Sequence, residues 1–108
     1  MVDFRLSEEQ KMIRNLAKEF CDEEVIPNAE EWDKNGIYPL DAINKAHQLG
    51  LLNVTIPEKY GGPGMSALDE MIICEELSRG DAGFGTATYH TMLAVSYTHL
   101  TLPTILLV

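Results

Sequence analysis

The residues that could do chemistry here are abundant carboxylates, two thiols, three imidazoles and one glycine cluster. A general base has to be held within reach of a proton at a suitable pKa, and the Asp and Glu residues instead recur on the polar sides of helical patterns. They read as solvated faces, and none is assigned as catalytic. Cys21 and Cys74 each lie inside a helix-like pattern and outside any Cys-x-x-Cys spacing, so two reduced, buried thiols are expected. His47, His90 and His99 lack metal-ligand spacing, which leaves them surface or capping roles and predicts no metal site. Gly80 to Gly85 reads Gly-Asp-Ala-Gly-Phe-Gly. The dinucleotide fingerprint is G-x-G-x-x-G after a strand, whereas here the order is G-x-x-G-x-G after a helix. It therefore reads as a helix stop followed by a helix entered through small residues, and it names no cofactor-binding residue. Thr86, Thr88, Tyr89 and His90 then put polar atoms on an otherwise apolar helix, where a buried polar atom must find a partner. Such a helix could line a cavity.

The elements that position these residues are helical. Ser7 and Gln10 have capping-box spacing, with Glu8 and Glu9 in the first turn. Ile13, Leu16, Ala17 and Phe20 follow as one apolar stripe. Pro27 should break or kink this helix, with a second piece through Trp32 and a turn over Asp33 to Gly36. Pro39 suits the first position of the next helix, whose apolar face is Ala42, Ile43, Ala46 and Leu49 and whose left-handed cap is Gly50 before Leu51. Val54 to Gly64 interrupts the helical periodicity. Val54, Thr55 and Ile56 are β-branched, Pro57 biases Ile56 toward an extended backbone, and the glycines that follow allow sharp turns. Ser66 caps another helix in which Met71, Ile72, Ile73 and Cys74 suggest burial on more than one side, with Glu75 and Arg79 as a surface pair. The fold expected is all-α, an orthogonal or up-down bundle of four to five helices with one irregular Pro- and Gly-rich crossing.

Size and charge limit the function classes. A chain of 108 residues is one domain by size and needs no disulfide or metal staple. A net charge of −9 repels a phosphate backbone, which argues against nucleic-acid binding, and 45% hydrophobic content argues against a disordered acidic tail. The N-terminus carries no charged-then-apolar leader pattern, and no apolar run reaches the roughly 18 residues of a membrane span. A bacterial cytoplasm or a mitochondrial matrix is the expected compartment.

Four stretches carry a family resemblance: Leu6-Ser-Glu-Glu-Gln10, Gly50-Leu-Leu-Asn-Val-Thr-Ile-Pro-Glu-Lys-Tyr-Gly-Gly62, Cys74-Glu-Glu-Leu-Ser78 and the helix from Gly83 to Leu93. In order, separation and residues they resemble the N-terminal all-helical domain of the acyl-CoA dehydrogenases. The Ile-Pro-Glu-x-Tyr-Gly-Gly element is the most specific of them. The resemblance implies oxidation of the α,β bond of an acyl-CoA thioester by a flavoenzyme, with a catalytic glutamate that removes the α-proton while a hydride leaves the β-carbon for FAD. That glutamate lies in a C-terminal domain that nothing in this sequence matches. The implied roles here are substrate-binding ones, Gly85, Thr86, Tyr89 and Leu93 forming part of the acyl-tunnel wall. FAD is not expected to bind this portion alone, electron-transfer flavoprotein is the implied electron acceptor, and family members are usually homotetrameric.

The resemblance covers residues 1–94 as one domain. From Val95 the chain reads Val-Ser-Tyr-Thr-His-Leu-Thr-Leu-Pro-Thr-Ile-Leu-Leu-Val, without a charged residue, and residues 95–108 are expected to be a foreign or out-of-frame tail. A competing expectation is a free-standing acidic helical module that binds a partner without catalysis.

Overall fold

A computed structural model describes residues 3–95. Its elements are α1 (Glu8–Phe20), a π turn (Cys21–Val25), α2 (Ile26–Asn35), α3 (Leu40–Gln48), a 3₁₀ turn (Glu58–Tyr60), α4 (Ala67–Gly80) and α5 (Ala82–Val95). Among the described residues there is no strand, in agreement with the expected all-α bundle, and no helix is long and apolar enough to cross a membrane. The expected tail and His99 lie outside the described residues, apart from Val95 at the end of α5.

Local chemistry sets most helix ends. The Ser7 hydroxyl accepts from the Gln10 N–H at 3.1 Å, and the Gln10 side chain accepts from the Ser7 N–H at 2.9 Å, closing the expected capping box. Ser66 and Asp69 make the same reciprocal pair at the start of α4. At the end of α3, Gly50 takes φ +78°; its N–H donates to His47 and the Leu51 N–H donates to Ala46, which is the Schellman arrangement.

Three expectations need correction here, whereas the one for Pro27 holds: the regular helix is interrupted before it by the π turn, and Pro27 stands in the first turn of α2. Lacking an N–H and crowding the carbonyl one turn back, it is accommodated by the π turn that precedes it, where the Ile26 N–H reaches Cys21 O. The segment Asp33 to Asn35 is helical, so the turn shrinks to Gly36 at φ +61°. Pro39 caps α3 from outside rather than occupying its first position. Val54 to Ile56 form a turn, because Asn53 adopts φ +57° and reverses the chain before them. The whole crossing closes on itself, with the Met65 N–H donating to Val54 O at 2.8 Å and the Gly64 N–H to Ile56 O at 2.9 Å, as in a compact Ω-loop.

The core lies where α1, the π turn, α4 and α5 meet. Phe84 is its centre, 1% exposed, stacked on Trp32 at 5.6 Å and tilted against Phe20 at 6.1 Å. Ala17, Phe20, Cys21, Val25, Ala42, Ile43, Ala46, Ile73 and Leu77 pack around it, which confirms the inner parts of the expected stripes. Their outer members are less covered: Leu16 and Leu49 are exposed, and Met71 is 55% exposed while Ile72 and Ile73 are buried. The expected Glu75–Arg79 pair does not form. Arg79 instead donates to Asp22 at 2.8 Å and to Glu76 at 3.1 Å, and Arg14 approaches Glu76 at 3.5 Å, so the ion pairs tie α4 to α1 and its π turn.

Candidate functional site

The residues singled out on the last helix depend on how α5 is anchored. Asp81 serves two helices: its N–H donates to Leu77 O, ending α4, and its carboxylate accepts from the N–H groups of Gly83 and Phe84, opening α5. An Asp followed by small residues after a helix stop is a cap signal legible in the sequence. Gly85 is buried with its α-carbon against Ser78, and a Cβ there would collide with the Ser78 hydroxyl. Gly80 is equally tight against the Cys21 sulfur. Gly80 and Gly85 are thus used in close packing, as expected of small residues where one helix stops and the next begins, whereas Gly83 is exposed and meets only the Asp81 carboxylate at 3.6 Å.

The threonine hydroxyls of α5 find partners within the domain. Thr86 donates to Ala82 O at 2.9 Å, Thr88 to Gly85 O at 2.9 Å, and the single Thr91 proton is shared between Thr88 O at 2.9 Å and the side-chain oxygen of Asn53 at 3.0 Å. The last bond ties α5 to the Ω-loop. Nothing in the sequence signals it, since it spans 38 residues and depends on the left-handed Asn53.

The four expected substrate residues therefore separate. Thr86 is exposed, Tyr89 half-buried and Leu93 42% exposed, so this face of α5 is only partly covered within the domain. Gly85 points the other way, into α4. Tyr89 also borders a narrow cleft between α4, α5 and the Ω-loop; Asn53, Glu70, Cys74, Leu77 and Thr88 line it as well.

The carboxyl of Glu70 has no hydrogen-bond or ion-pair partner among the described residues, and burial pushes its pKa above the ordinary 4.5. Desolvation outweighs the first-turn position in α4, where the helix dipole favours a carboxylate. The folded state then binds this proton more tightly than the unfolded chain, so stability falls as pH rises from 4.5 through the raised folded value. Glu70→Gln is expected to raise the unfolding midpoint at neutral pH, with the gap to the parent narrowing once the pH drops below 4.5. Equal gaps at both pH values in thermal melts would exclude a desolvated Glu70.

Burial likewise pushes the Cys21 thiol up, keeping it protonated, and both cysteines are free. Cys74, expected to be buried, is only half so, because it faces the cleft. His47 and His90 are exposed. Among the described residues no group of three His, Cys, Asp or Glu side chains could hold a metal ion.

The chain has recognisable relatives. The pattern described as the acyl-CoA dehydrogenase N-terminal domain matches residues 7–102. A Caenorhabditis briggsae protein described as probable medium-chain specific acyl-CoA dehydrogenase 2, mitochondrial, is 43% identical over 95 residues, covering 88% of this chain and 23% of that protein. The glutaryl-CoA dehydrogenase of Desulfococcus multivorans is 34% identical over 103 residues, covering 93% and 26% respectively. Among solved structures, a chain from work on the electron transferring flavoprotein of Acidaminococcus fermentans and flavin-based electron bifurcation superposes with a TM-score of 0.73 at 39% identity, over 79% of this chain and 22% of that one. The chain thus spans about a quarter of the length of the curated relatives it matches. A helical bundle with the expected motifs in the expected order, matched over nearly its full length, makes this chain a member of the acyl-CoA dehydrogenase family, corresponding to its N-terminal domain.

Proposed function

We propose that this chain is the N-terminal helical part of a flavin-dependent acyl-CoA dehydrogenase and that its share of the work is to wall off the acyl chain. The observation that carries the reading is the partly covered face of α5, where Thr86, Tyr89 and Leu93 line up on a helix held rigidly from behind by Gly85 against Ser78. A wall of this kind excludes water from the thioester's tail and limits its length, since a bulky Tyr89 favours shorter acyl groups. Gly85 acts by letting α5 sit close to α4, so it shapes the wall without touching substrate.

The catalytic carboxylate is assigned to polypeptide beyond this domain, and no Glu or Asp here is given that role. FAD accepts the hydride in this chemistry. Gly80 and Gly85 are packed against Cys21 and Ser78, so their backbone is not open to its phosphates. Acyl-CoA as substrate, electron-transfer flavoprotein as acceptor and a homotetramer are the partners this reading implies. A bacterial cytoplasm or mitochondrial matrix is the matching compartment. The relatives favour this reading over a free-standing acidic interaction module.

A chimera tests it. Residues 7–94 replace the matching segment of the Desulfococcus multivorans glutaryl-CoA dehydrogenase, and anaerobic bleaching of the flavin is followed with acyl-CoA esters of increasing length. Bleaching by at least one ester is expected, and Tyr89→Ala should shift the preference toward longer chains by about tenfold in kcat/KM, the range of one or two methylenes in an apolar pocket. A folded, yellow chimera that no ester reduces would refute the assignment. Unchanged preference in Tyr89→Ala would remove Tyr89 from the wall.

A further inference from the structure

The geometry points to Asn35 as a site of spontaneous deamidation and aspartyl isomerisation. Among the asparagines it alone precedes a glycine, and it sits, exposed, as the last residue of α2. In this reaction the Gly36 backbone nitrogen loses its proton and attacks the Asn35 side-chain carbonyl carbon. A C–N bond forms to close a succinimide, the carboxamide C–N bond breaks, and ammonia leaves. Water then opens the ring on either side to give aspartate or isoaspartate, with no change of oxidation state and no other reactant.

Two features of the fold decide whether the nucleophile is free. The Gly36 N–H donates to Trp32 O, and the Ile37 N–H donates to the same carbonyl at 3.0 Å, so one acceptor holds the whole helix end. Trp32 itself is fixed by its stack on Phe84, whereas Asp33, Lys34, Asn35 and Gly36 beyond it are exposed. Releasing that single carbonyl therefore frees the Gly36 nitrogen without disturbing the core, and helix ends open at little cost. Around Gly36 a Cβ would meet nothing within 4 Å, so the ring has room to close. The contrast is with Asn28, whose amide donates to Glu24 O at 2.9 Å, and Asn53, whose oxygen accepts from Thr91; both precede residues with side chains that hinder the attack.

Conversion would matter locally. A carboxylate at the C-terminus of α2 meets the unfavourable end of the helix dipole. An isoaspartyl link adds a backbone carbon just ahead of Ile37, Tyr38 and Pro39, the turn that leads into α3.

The test incubates the full chain at mildly alkaline pH beside an unstructured peptide spanning residues 30–40, with peptide mass mapping of both. The folded chain should gain acid at Asn35 at a rate within about tenfold of the peptide, the slowing set by the two hydrogen bonds at Trp32 O. Asn35→Gln, which keeps the helix end but forms the larger ring far more slowly, should abolish the gain. A folded chain that stays amidated while the peptide converts fully would overturn the assignment, as would equal conversion at Asn28 or Asn53.

Discussion

Phe84→Ala should remove a large part of the stability of this chain. The ring is 1% exposed and is the shared neighbour of Trp32 and Phe20, from α2 and α1, while belonging to α5. Truncating it loses the transfer free energy of a phenyl group, leaves a cavity that three helices would have to collapse to fill, and breaks two aromatic pairs. Such changes cost about 3–5 kcal/mol, against roughly 5–15 kcal/mol for a whole domain. Thermal unfolding should fall on the order of 20 °C or lose its cooperativity. Phe84→Leu, which keeps much of the volume, should cost under half as much. Trp32 is the sole tryptophan, so its emission reports directly on the stack and should shift in Phe84→Ala even where helix content survives. A loss below about 1 kcal/mol by urea titration would mean that the helices are held together elsewhere.

Features that close over three or four residues were legible: both serine caps, the Gly50 stop and the inner apolar stripes are fixed by neighbours in sequence, and the structure has them all. The family motifs belong to the same class, since their order along the chain is itself the signal. Features that depend on a distant partner were not legible. Glu75 and Glu76 are equally good helical neighbours for Arg79, and the one used is Glu76, in a cluster that also brings in Asp22 from the π turn and Arg14 from α1. Three β-branched residues before Pro57 favour extended backbone locally, yet the Ω-loop bonds Met65 back to Val54 and a turn results. In the candidate site, the shared face of Thr86, Tyr89 and Leu93 follows from spacing alone. The burial of Gly85, the Asn53 tether and the desolvated carboxyl of Glu70 required the three-dimensional neighbours.

Gly80→Ala tests another contact between residues far apart in the chain, that of α4 with the π turn. A Cβ at this last residue of α4 would run into the Cys21 sulfur and come within 3.1 Å of an Ile26 methylene carbon and 3.2 Å of a Val25 methyl, all on or beside the π turn. Alanine's better helix propensity gives back less than about 1 kcal/mol at a helix terminus. Overpacking of this kind costs about 1–3 kcal/mol, so the net effect should be a loss of stability. Because the steric conflict is chiefly with one atom, Cys21→Ala in the same molecule should relieve it: the sulfur leaves space for the methyl that enters. A double-mutant cycle is therefore expected to show a coupling of about 1–2 kcal/mol, the pair being more stable than Gly80→Ala alone. Additivity within about 0.5 kcal/mol would place the strain on Ile26 and Val25 instead and separate Cys21 from the helix crossing. The consequence reaches the candidate site, since Gly80 and Gly85 flank the Asp81 cap. Any shift of α4 away from the π turn is passed to α5, and with it to the face that carries Tyr89.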